Sequence, residues 1–259
     1  MNSKLGTQVA HLAGRSVMRT LRQPAALIFP LAFPMILLAV NAAGLDSAAS
    51  IPGFPADSYL DFALAVPFMQ GALFSAMNAG QDIARDIETG FLSRLSLTPV
   101  RGIALLTGQL AGAVAVGAAQ AVVYLLVGLI AGVTVQAGIA GALLILVFAM
   151  LFCLGFGSLG AFMALRTGSG EAVQGLFPLL FVLLFLSSAF LPRDLIEADW
   201  FRTIAGANPV SYLIEAVRSL IVSGWDPETL ALGMAITLGI IALALGAASL
   251  ALQTRLERT

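Results

Sequence analysis

Residues 137–165 read AGIAGALLILVFAMLFCLGFGSLGAFMAL and contain no Asp, Glu, Lys or Arg. One helix needs about 20 predominantly apolar residues to cross the bilayer core, so a stretch of this length predicts a transmembrane helix. A barrel strand does not fit, because its alternation of apolar and polar residues is absent. In lipid the backbone must satisfy its own hydrogen bonds, which a helix does. This stretch therefore predicts an integral membrane protein.

The composition of the whole chain agrees with that class. Hydrophobic residues make up 59% and charged residues 10% of the chain, with a mean hydropathy of +0.96. Soluble domains carry about 25% charged residues. The single cysteine, Cys153, excludes an internal disulfide and a multi-thiolate metal site. The single histidine, His11, lies far from any other candidate ligand, so no metal site and no cofactor is predicted for this chain.

Five further apolar runs predict five further spans, and hence an all-α membrane protein of six transmembrane helices. The runs are Ala25–Ala43, Tyr59–Asn78, Ile103–Val133, Ala172–Leu191 and Leu230–Leu252. We interpret residues 1–259 as a single transmembrane domain. Within it, 1–23 form an interfacial helix, 24–191 hold spans one to five with an inner loop at 82–102, 192–227 form an outer hairpin, and 228–252 form span six.

The distribution of basic residues predicts the orientation. Ten of the 13 Lys and Arg residues lie in the terminal segments and in the loops that follow spans two and four. These ten are Lys4, Arg15, Arg19, Arg22, Arg85, Arg94, Arg101, Arg166, Arg255 and Arg258. Because cytoplasmic loops carry an excess of Lys and Arg, both termini are predicted to be cytoplasmic.

Residues 2–23 are too polar to span the bilayer. On a helical wheel the basic residues fall in one narrow sector, and the apolar residues, among them Leu5, Val9 and Leu12, fill the opposite side. Such a helix lies in the membrane interface with its basic side toward anionic headgroups. A contact with a cytoplasmic partner is a second interpretation, compatible with the first.

The inner loop at 81–102 reads QDIARDIETGFLSRLSLTPVRG. Its apolar residues recur at helical spacing between charged ones, which predicts an amphipathic helix over about Ile83–Ser96 that ends at Thr98-Pro99. An amphipathic helix outside the bilayer needs a groove to pack in. We favour a docking helix for a soluble partner over a solvated connector.

The outer loop at 192–227 is too long and too apolar for a plain connector. Asn208-Pro209 predicts a helix start, with a capping side chain followed by proline. Val210, Leu213, Val217 and other residues then form an apolar face, with Glu215 and Arg218 one turn apart on the polar side, and Gly224 ends the helix. Residues 194–205 predict a second short helix. The pair predicts a hairpin that dips into the outer leaflet, which is tolerated only where protein or a cavity surrounds it.

Polar groups within apolar spans are costly and mark candidates for a cargo path. The candidates are Gln70, Ser75 and Asn78 in span two and Gln109, Gln120 and Tyr124 in span three, of which the last three share one helical face. Span five adds a stripe of Phe177, Phe181 and Phe185, with Pro178 as a kink. An aromatic stripe is more often a packing or lipid-facing surface, and the sharper interpretation is a wall for aromatic or lipidic cargo.

Three glycine patterns inside the spans have a structural explanation. Residues 155–160 match the GxGxxG pattern of dinucleotide-binding folds, but no strand precedes them. We expect these glycines to let helices approach closely, and we interpret Gly108xxxGly112 and Gly128xxxGly132 in the same way.

The order of these features resembles a known family. The segments DIETGFLSRLSLTPVRG (86–102) and FLSSAFLP (185–192), with NPVSYLIEAVRSLI (208–221), look like the permease of a type-2 ABC exporter. The likeness is closest to the daunorubicin-resistance permease group and covers essentially the whole chain.

The resemblance implies a partner and roles for several residues. Such permeases form a dimer, with themselves or with a homologous permease, in the bacterial plasma membrane, and each copy binds an ABC ATPase subunit that holds ATP and Mg. The inner loop would be the coupling helix, and the hairpin would shape the exit. The coupling residues would be Arg85, Asp86, Glu88, Gly90, Phe91, Arg94, Leu95, Thr98, Pro99 and Arg101. The hairpin residues would be Asn208, Pro209, Tyr212, Glu215 and Arg218.

What the chain lacks agrees with that division of labour. It contains no GxxxxGK[ST] loop, so it is not predicted to hydrolyse ATP itself. The resemblance leaves the cargo open between a hydrophobic or amphipathic compound, such as a drug or a lipid, and a polysaccharide or glycolipid. An ion-coupled carrier is disfavoured by the lack of charges deep in the spans. An intramembrane enzyme is disfavoured because no converging catalytic residues are found.

Overall fold

We describe residues 2–21, 24–91, 94 and 102–256 of the protein from a computed structural model. Within these ranges the chain is helical apart from turns and short connections, in agreement with the predicted all-α class. The helices are α1 (Asn2–Leu21), α2 (Pro24–Leu45), α3 (Tyr59–Ala63), α4 (Ala65–Glu88), α5 (Gly102–Ile130), α6 (Gly138–Thr167), α7 (Gly170–Phe185), α8 (Asp199–Ala207), α9 (Pro209–Val222) and α10 (Pro227–Leu256).

Five helical stretches in the described part of the chain are long and apolar enough to cross a membrane. They are Ile28–Ser50, Tyr59–Glu88, Leu106–Ile130, Gly138–Thr167 and Pro227–Leu256. The predicted fifth span is shorter than expected, because α7 has 16 residues and ends at Phe185 rather than Leu191. A helix of that length rises about 24 Å, less than the roughly 30 Å of a bilayer core. The sixth crossing therefore stays a prediction.

Helix α4 is the centre of the bundle. Every residue from Ala65 to Ala76 is buried. Its closest neighbour is α6: a Cβ atom added at Gly160 would lie 1.8 Å from the carbonyl oxygen of Ala76. Such contact between backbones is what small residues allow at helix interfaces. The GxGxxG pattern thus serves packing, as expected.

The other two glycine pairs have different neighbours. A Cβ atom at Gly108 would lie 2.4 Å from Cβ of Leu12, and one at Gly112 would lie 2.1 Å from Oγ of Ser16. Helix α1 therefore lies against the start of α5, with the chains running in the same direction at this contact. The amphipathic helix predicted for the interface has a protein neighbour along part of its length.

The Gly128xxxGly132 pair is only half a packing motif. Gly128 lies against Leu64, whereas Gly132 has no atom within 4 Å of an added Cβ and adopts a φ of +100°. The N–H of Gly132 bonds the Leu129 carbonyl, and the N–H of Val133 bonds the Gly128 carbonyl. These two bonds form the Schellman motif that ends α5. The packing prediction was wrong for Gly132, because a helix end needs a residue that tolerates positive φ.

Candidate coupling and exit sites

The predicted coupling helix is broken in the structure. Helix α4 continues to Glu88, so Arg85, Asp86 and Glu88 form its last turns rather than a separate helix. Gly90 has a φ of +67°, and its N–H bonds the Ile87 carbonyl. Glycine in this left-handed conformation ends a helix. The single helix predicted over Ile83–Ser96 was therefore wrong: the helix stops at Glu88, and helical structure resumes at Phe91.

Charged side chains surround this break. Arg85, Glu88 and Arg94 are exposed. The Arg94 side chain donates from Nε to the Gly90 carbonyl at 3.3 Å and from a terminal nitrogen to the Thr89 carbonyl at 3.2 Å, which fastens Arg94 to the break. The other predicted coupling residues lie outside the described residues; they are Leu95, Thr98, Pro99 and Arg101.

Asp86 differs from its charged neighbours because it is buried. A terminal nitrogen of Arg15 in α1 donates to its carboxylate at 2.7 Å, and the side-chain amide of Gln109 in α5 donates to the same oxygen. The Arg15 guanidinium also lies 4.2 Å from the ring centroid of Phe91, just past the break. We call Arg15, Asp86, Phe91 and Gln109 the coupling node. It joins three helices and the resumed segment at one end of the bundle.

The coupling node was not predicted from the sequence. Arg15 was assigned to a basic face directed at lipid headgroups, and Gln109 was predicted as a candidate for the cargo path on the face that carries Gln120 and Tyr124. Arg15 and Asp86 are 71 residues apart, so no local spacing indicates their pairing.

The hairpin lies at the other end of α4, whose 24 residues rise about 36 Å. Asn208 begins α9 as predicted: its side-chain oxygen accepts from the Val210 N–H at 3.0 Å, and Pro209 is the first helical residue. Its side-chain amide also donates to the carbonyls of Leu183 and Leu186 at 2.6 and 2.9 Å. These carbonyls end α7 without a helical partner. Asn208 thus joins the start of one helix to the end of another.

The second hairpin helix begins later than predicted. Residues Arg193–Leu195 form a 3₁₀ turn, the next residues are extended, and α8 starts at Asp199. Trp200 at its start is exposed. The dip of this pair into a leaflet stays a prediction.

Arg218 on α9 is buried, contrary to the prediction that it lies on a polar face with Glu215. It donates from Nε to the Phe62 carbonyl and from its terminal nitrogens to the carbonyls of Ser188 and Ala189, each at 3.0 Å. Its guanidinium stacks 3.6 Å from the ring centroid of Phe62. Burial lowers the pKa of Arg218 to about 9, so the side chain remains charged at neutral pH.

Glu215 pairs with Arg193 instead of Arg218. The Arg193 guanidinium lies 4.5 Å from the ring centroid of Tyr212, and the Tyr212 hydroxyl donates to the Gly206 carbonyl at 2.6 Å. Arg193, Glu215 and Arg218 line a cavity of about 610 Å³. We call it the hairpin cavity.

The predicted cargo-path residues of spans two and three lie mostly inside the bundle. Gln70 and Gln120 are each 2% exposed and Tyr124 is 1% exposed, while Asn78 is half-buried. The Tyr124 hydroxyl donates to the Pro30 carbonyl at 2.6 Å. Pro34 lies four residues after Pro30 in α2 and has no N–H, so the Pro30 carbonyl lacks its helical donor. Tyr124 therefore completes the hydrogen bonding of α2.

The phenylalanine stripe of α7 is packed at its start and exposed at its end. The Phe177 ring lies 5.3 Å from that of Phe74 in α4, and the Phe181 ring lies 6.2 Å from that of Phe33 in α2. Phe185 is 54% exposed. Both the packing and the cargo-wall interpretations fit this arrangement, and the path itself stays a prediction.

Comparison with known proteins identifies one family. The model of the family described as ABC-2 type transporter matches residues 7–222, which include most of α1, the coupling node and the hairpin as far as the end of α9. No curated protein matches the chain.

Proposed function

Because the chain belongs to the ABC-2 type transporter family, we propose that it is the transmembrane permease subunit of an ABC exporter, as the resemblance to the daunorubicin-resistance group implies. The family makes it a transport component rather than an ATPase. ATP would be hydrolysed by a separate ABC ATPase subunit, with Mg, and the working unit would be a dimer of permeases with two such subunits. Both termini would lie in the cytoplasm of a bacterial cell.

The observation that carries this proposal is the coupling node beside a helix break. The exposed Arg85, Glu88 and Arg94 offer charged contacts to a soluble partner. Directly behind them, Arg15 and Gln109 hold the buried Asp86. A partner that displaces the segment after Gly90 would act on α1, α4 and α5 together, because all three helices meet at the node. Rigid helices of this kind carry small displacements across a bundle.

For the cargo, we propose a hydrophobic or amphipathic compound that is drug-like or lipid-like. The aromatic stripe of α7 offers an apolar surface that ends in the exposed Phe185. The hairpin cavity at the far end offers charged groups. A route with an apolar wall and a polar end suits a molecule that has both characters.

The partner contact is tested by charge reversal. Glu88→Arg and Arg94→Glu should each weaken recovery of the co-expressed ABC ATPase when the tagged permease is purified in detergent, without reducing the amount of permease in the membrane. Arg202→Glu is the matched control, because Arg202 is exposed at the hairpin end. Full recovery of the ATPase with both coupling variants would contradict the proposed docking surface.

A further inference from the structure

The hairpin cavity brings together segments that are distant in the chain. Its walls come from the turn before α3, the 3₁₀ turn at Arg193–Leu195, α8, α9 and the start of α10. Its volume of about 610 Å³ falls within the range of about 300–1,000 Å³ that is common for small-ligand sites. Arginine, aspartate and glutamate side chains line it. The hydrogen-bond and ion-pair partners that these side chains have within the protein indicate what the cavity binds.

The positive pole of the cavity is Arg218. Only 6% of this residue is exposed, and its three hydrogen bonds within the described chain go to neutral carbonyls. A guanidinium has five N–H donors, so two of them are left for a ligand. The carboxylate of Glu215 interacts with Arg218 through charge, but its bonded partner is Arg193. A buried charge without a bonded counter-ion gains strongly from an anionic group placed beside it.

The negative pole consists of Asp194 and Asp226. Asp194 is exposed and has no hydrogen bond or ion pair to the part of the chain that the structure describes. Asp226 caps α10 by accepting from the Thr229 N–H at 3.3 Å, and it also accepts from the Thr229 hydroxyl at 2.6 Å. Hydrogen bonds from Thr229 hold the pKa of Asp226 below its usual value, so it stays ionised. These carboxylates disfavour a ligand that is only anionic, because like charges repel at close range.

We infer that the hairpin cavity binds a zwitterionic headgroup of the phosphoethanolamine type, with the phosphate at Arg218 and the ammonium toward Asp194 and Asp226. Three arginines and three carboxylates line the cavity, so its net charge is balanced. The third arginine, Arg202, is paired with Asp199. This inference rests on the proposed export function only in naming the bound molecule as cargo; the binding itself requires neither ATP nor a partner.

Binding is measured on the full-length chain purified in detergent, without any ATPase subunit. The probes are dihexanoyl phosphatidylethanolamine, dihexanoyl phosphatidylglycerol and inorganic phosphate, titrated by isothermal calorimetry. Phosphatidylethanolamine should bind at least fivefold more tightly than phosphatidylglycerol, which lacks the ammonium group. Inorganic phosphate should bind more weakly than both lipids.

Two variants test the location of the site. Arg218→Gln should weaken phosphatidylethanolamine binding at least tenfold. Arg218→Gln also removes three hydrogen bonds to backbone carbonyls and could disturb the fold, so Ser223→Trp provides a second test. Ser223 is an exposed residue of the cavity wall, and the indole would fill the cavity while leaving the hydrogen bonds of Arg218 in place. Ser223→Trp should also weaken binding at least tenfold, whereas Ser50→Trp, at an exposed residue outside the cavity wall, should not change it.

Three results would overturn the inference. These are equal affinity for the two lipids, inorganic phosphate binding as tightly as phosphatidylethanolamine, or unchanged binding in Ser223→Trp. Failure of export with intact binding would instead contradict the proposed function alone.

Discussion

The hydrogen bond between Tyr124 and Pro30 allows a sharp test of the packing around α2. Tyr124→Phe removes the hydroxyl that donates to the Pro30 carbonyl at 2.6 Å. Pro34 has no N–H, so no helical donor can replace the hydroxyl, and the carbonyl is left buried and unpaired. Leaving a buried acceptor unsatisfied costs about 1–3 kcal/mol. Side-chain hydrogen bonds in membrane proteins average about 0.6 kcal/mol, with a maximum near 1.7. We therefore expect Tyr124→Phe to lower the free energy of unfolding by about 1–2 kcal/mol.

A second substitution tests whether the unpaired Pro30 carbonyl causes this loss of stability. Pro34→Ala restores an N–H four residues after Pro30, so the carbonyl regains its helical partner. In the Pro34→Ala background, Tyr124→Phe should then cost less than about half as much as it does alone, a difference typical of coupled neighbours. The assay is the free energy of unfolding in mixed detergent and dodecyl sulfate micelles for the four chains of the cycle.

A matched control uses another buried tyrosine. The Tyr59 hydroxyl donates to the Phe190 carbonyl at 2.9 Å and not to a carbonyl of α2. Tyr59→Phe should cost the same with and without Pro34→Ala. Equal costs for Tyr124→Phe in the two backgrounds would refute the account of a proline-orphaned carbonyl.

Three further predictions concern other contacts. Asn208→Ala should destabilise the protein by about 2–4 kcal/mol in the same unfolding assay, because it removes a cap of about 1 kcal/mol and two further hydrogen bonds of similar size. Asn208→Ser keeps the cap and should destabilise the protein less. Equal destabilisation by the two variants would contradict this assignment of the stability. Gly160→Ala should prevent purification of a monodisperse protein, because its Cβ would lie 1.8 Å from the Ala76 carbonyl oxygen. The control Gly246→Ala has no atom within 4 Å of the added Cβ and should be neutral or stabilising by up to about 1 kcal/mol. The measurement is the size-exclusion profile, and a normal profile for Gly160→Ala would count against the close packing. Arg15→Gln and Asp86→Asn should together reduce cargo-stimulated ATPase activity no more than either does alone, since each breaks the same node, and additive losses would show that the two residues act separately.

The sequence predicted the helices themselves well, because long apolar runs leave little choice of structure in a bilayer. The Asn208-Pro209 start of α9 was also predictable, since capping chemistry is local. The break at Gly90 was missed because the apolar spacing continues across it, from Ile87 to Phe91. A glycine within an amphipathic pattern was the available signal.

Tertiary pairings were beyond prediction. Glu215 and Arg218 have the spacing of a helical ion pair. In the structure Glu215 instead forms its ion pair with Arg193, 22 residues earlier in the chain. Arg218 is then directed into the protein, where three carbonyls from two segments accept its hydrogen bonds. The coupling node has the same origin, since Arg15 and Asp86 meet only because α1 lies on α5.

The proposed function requires that this chain moves cargo only with ATP hydrolysed by a docked ABC ATPase. The direct measurement is uptake of fluorescent phosphatidylethanolamine and of a hydrophobic dye into inside-out proteoliposomes that contain the permease with or without its ATPase subunit. We expect uptake that requires Mg-ATP and both subunits, is reduced by Arg94→Glu and is unchanged by the control Glu197→Arg, because Glu197 is exposed and does not line the hairpin cavity. Uptake by the permease alone, or uptake that does not depend on ATP, would contradict the account.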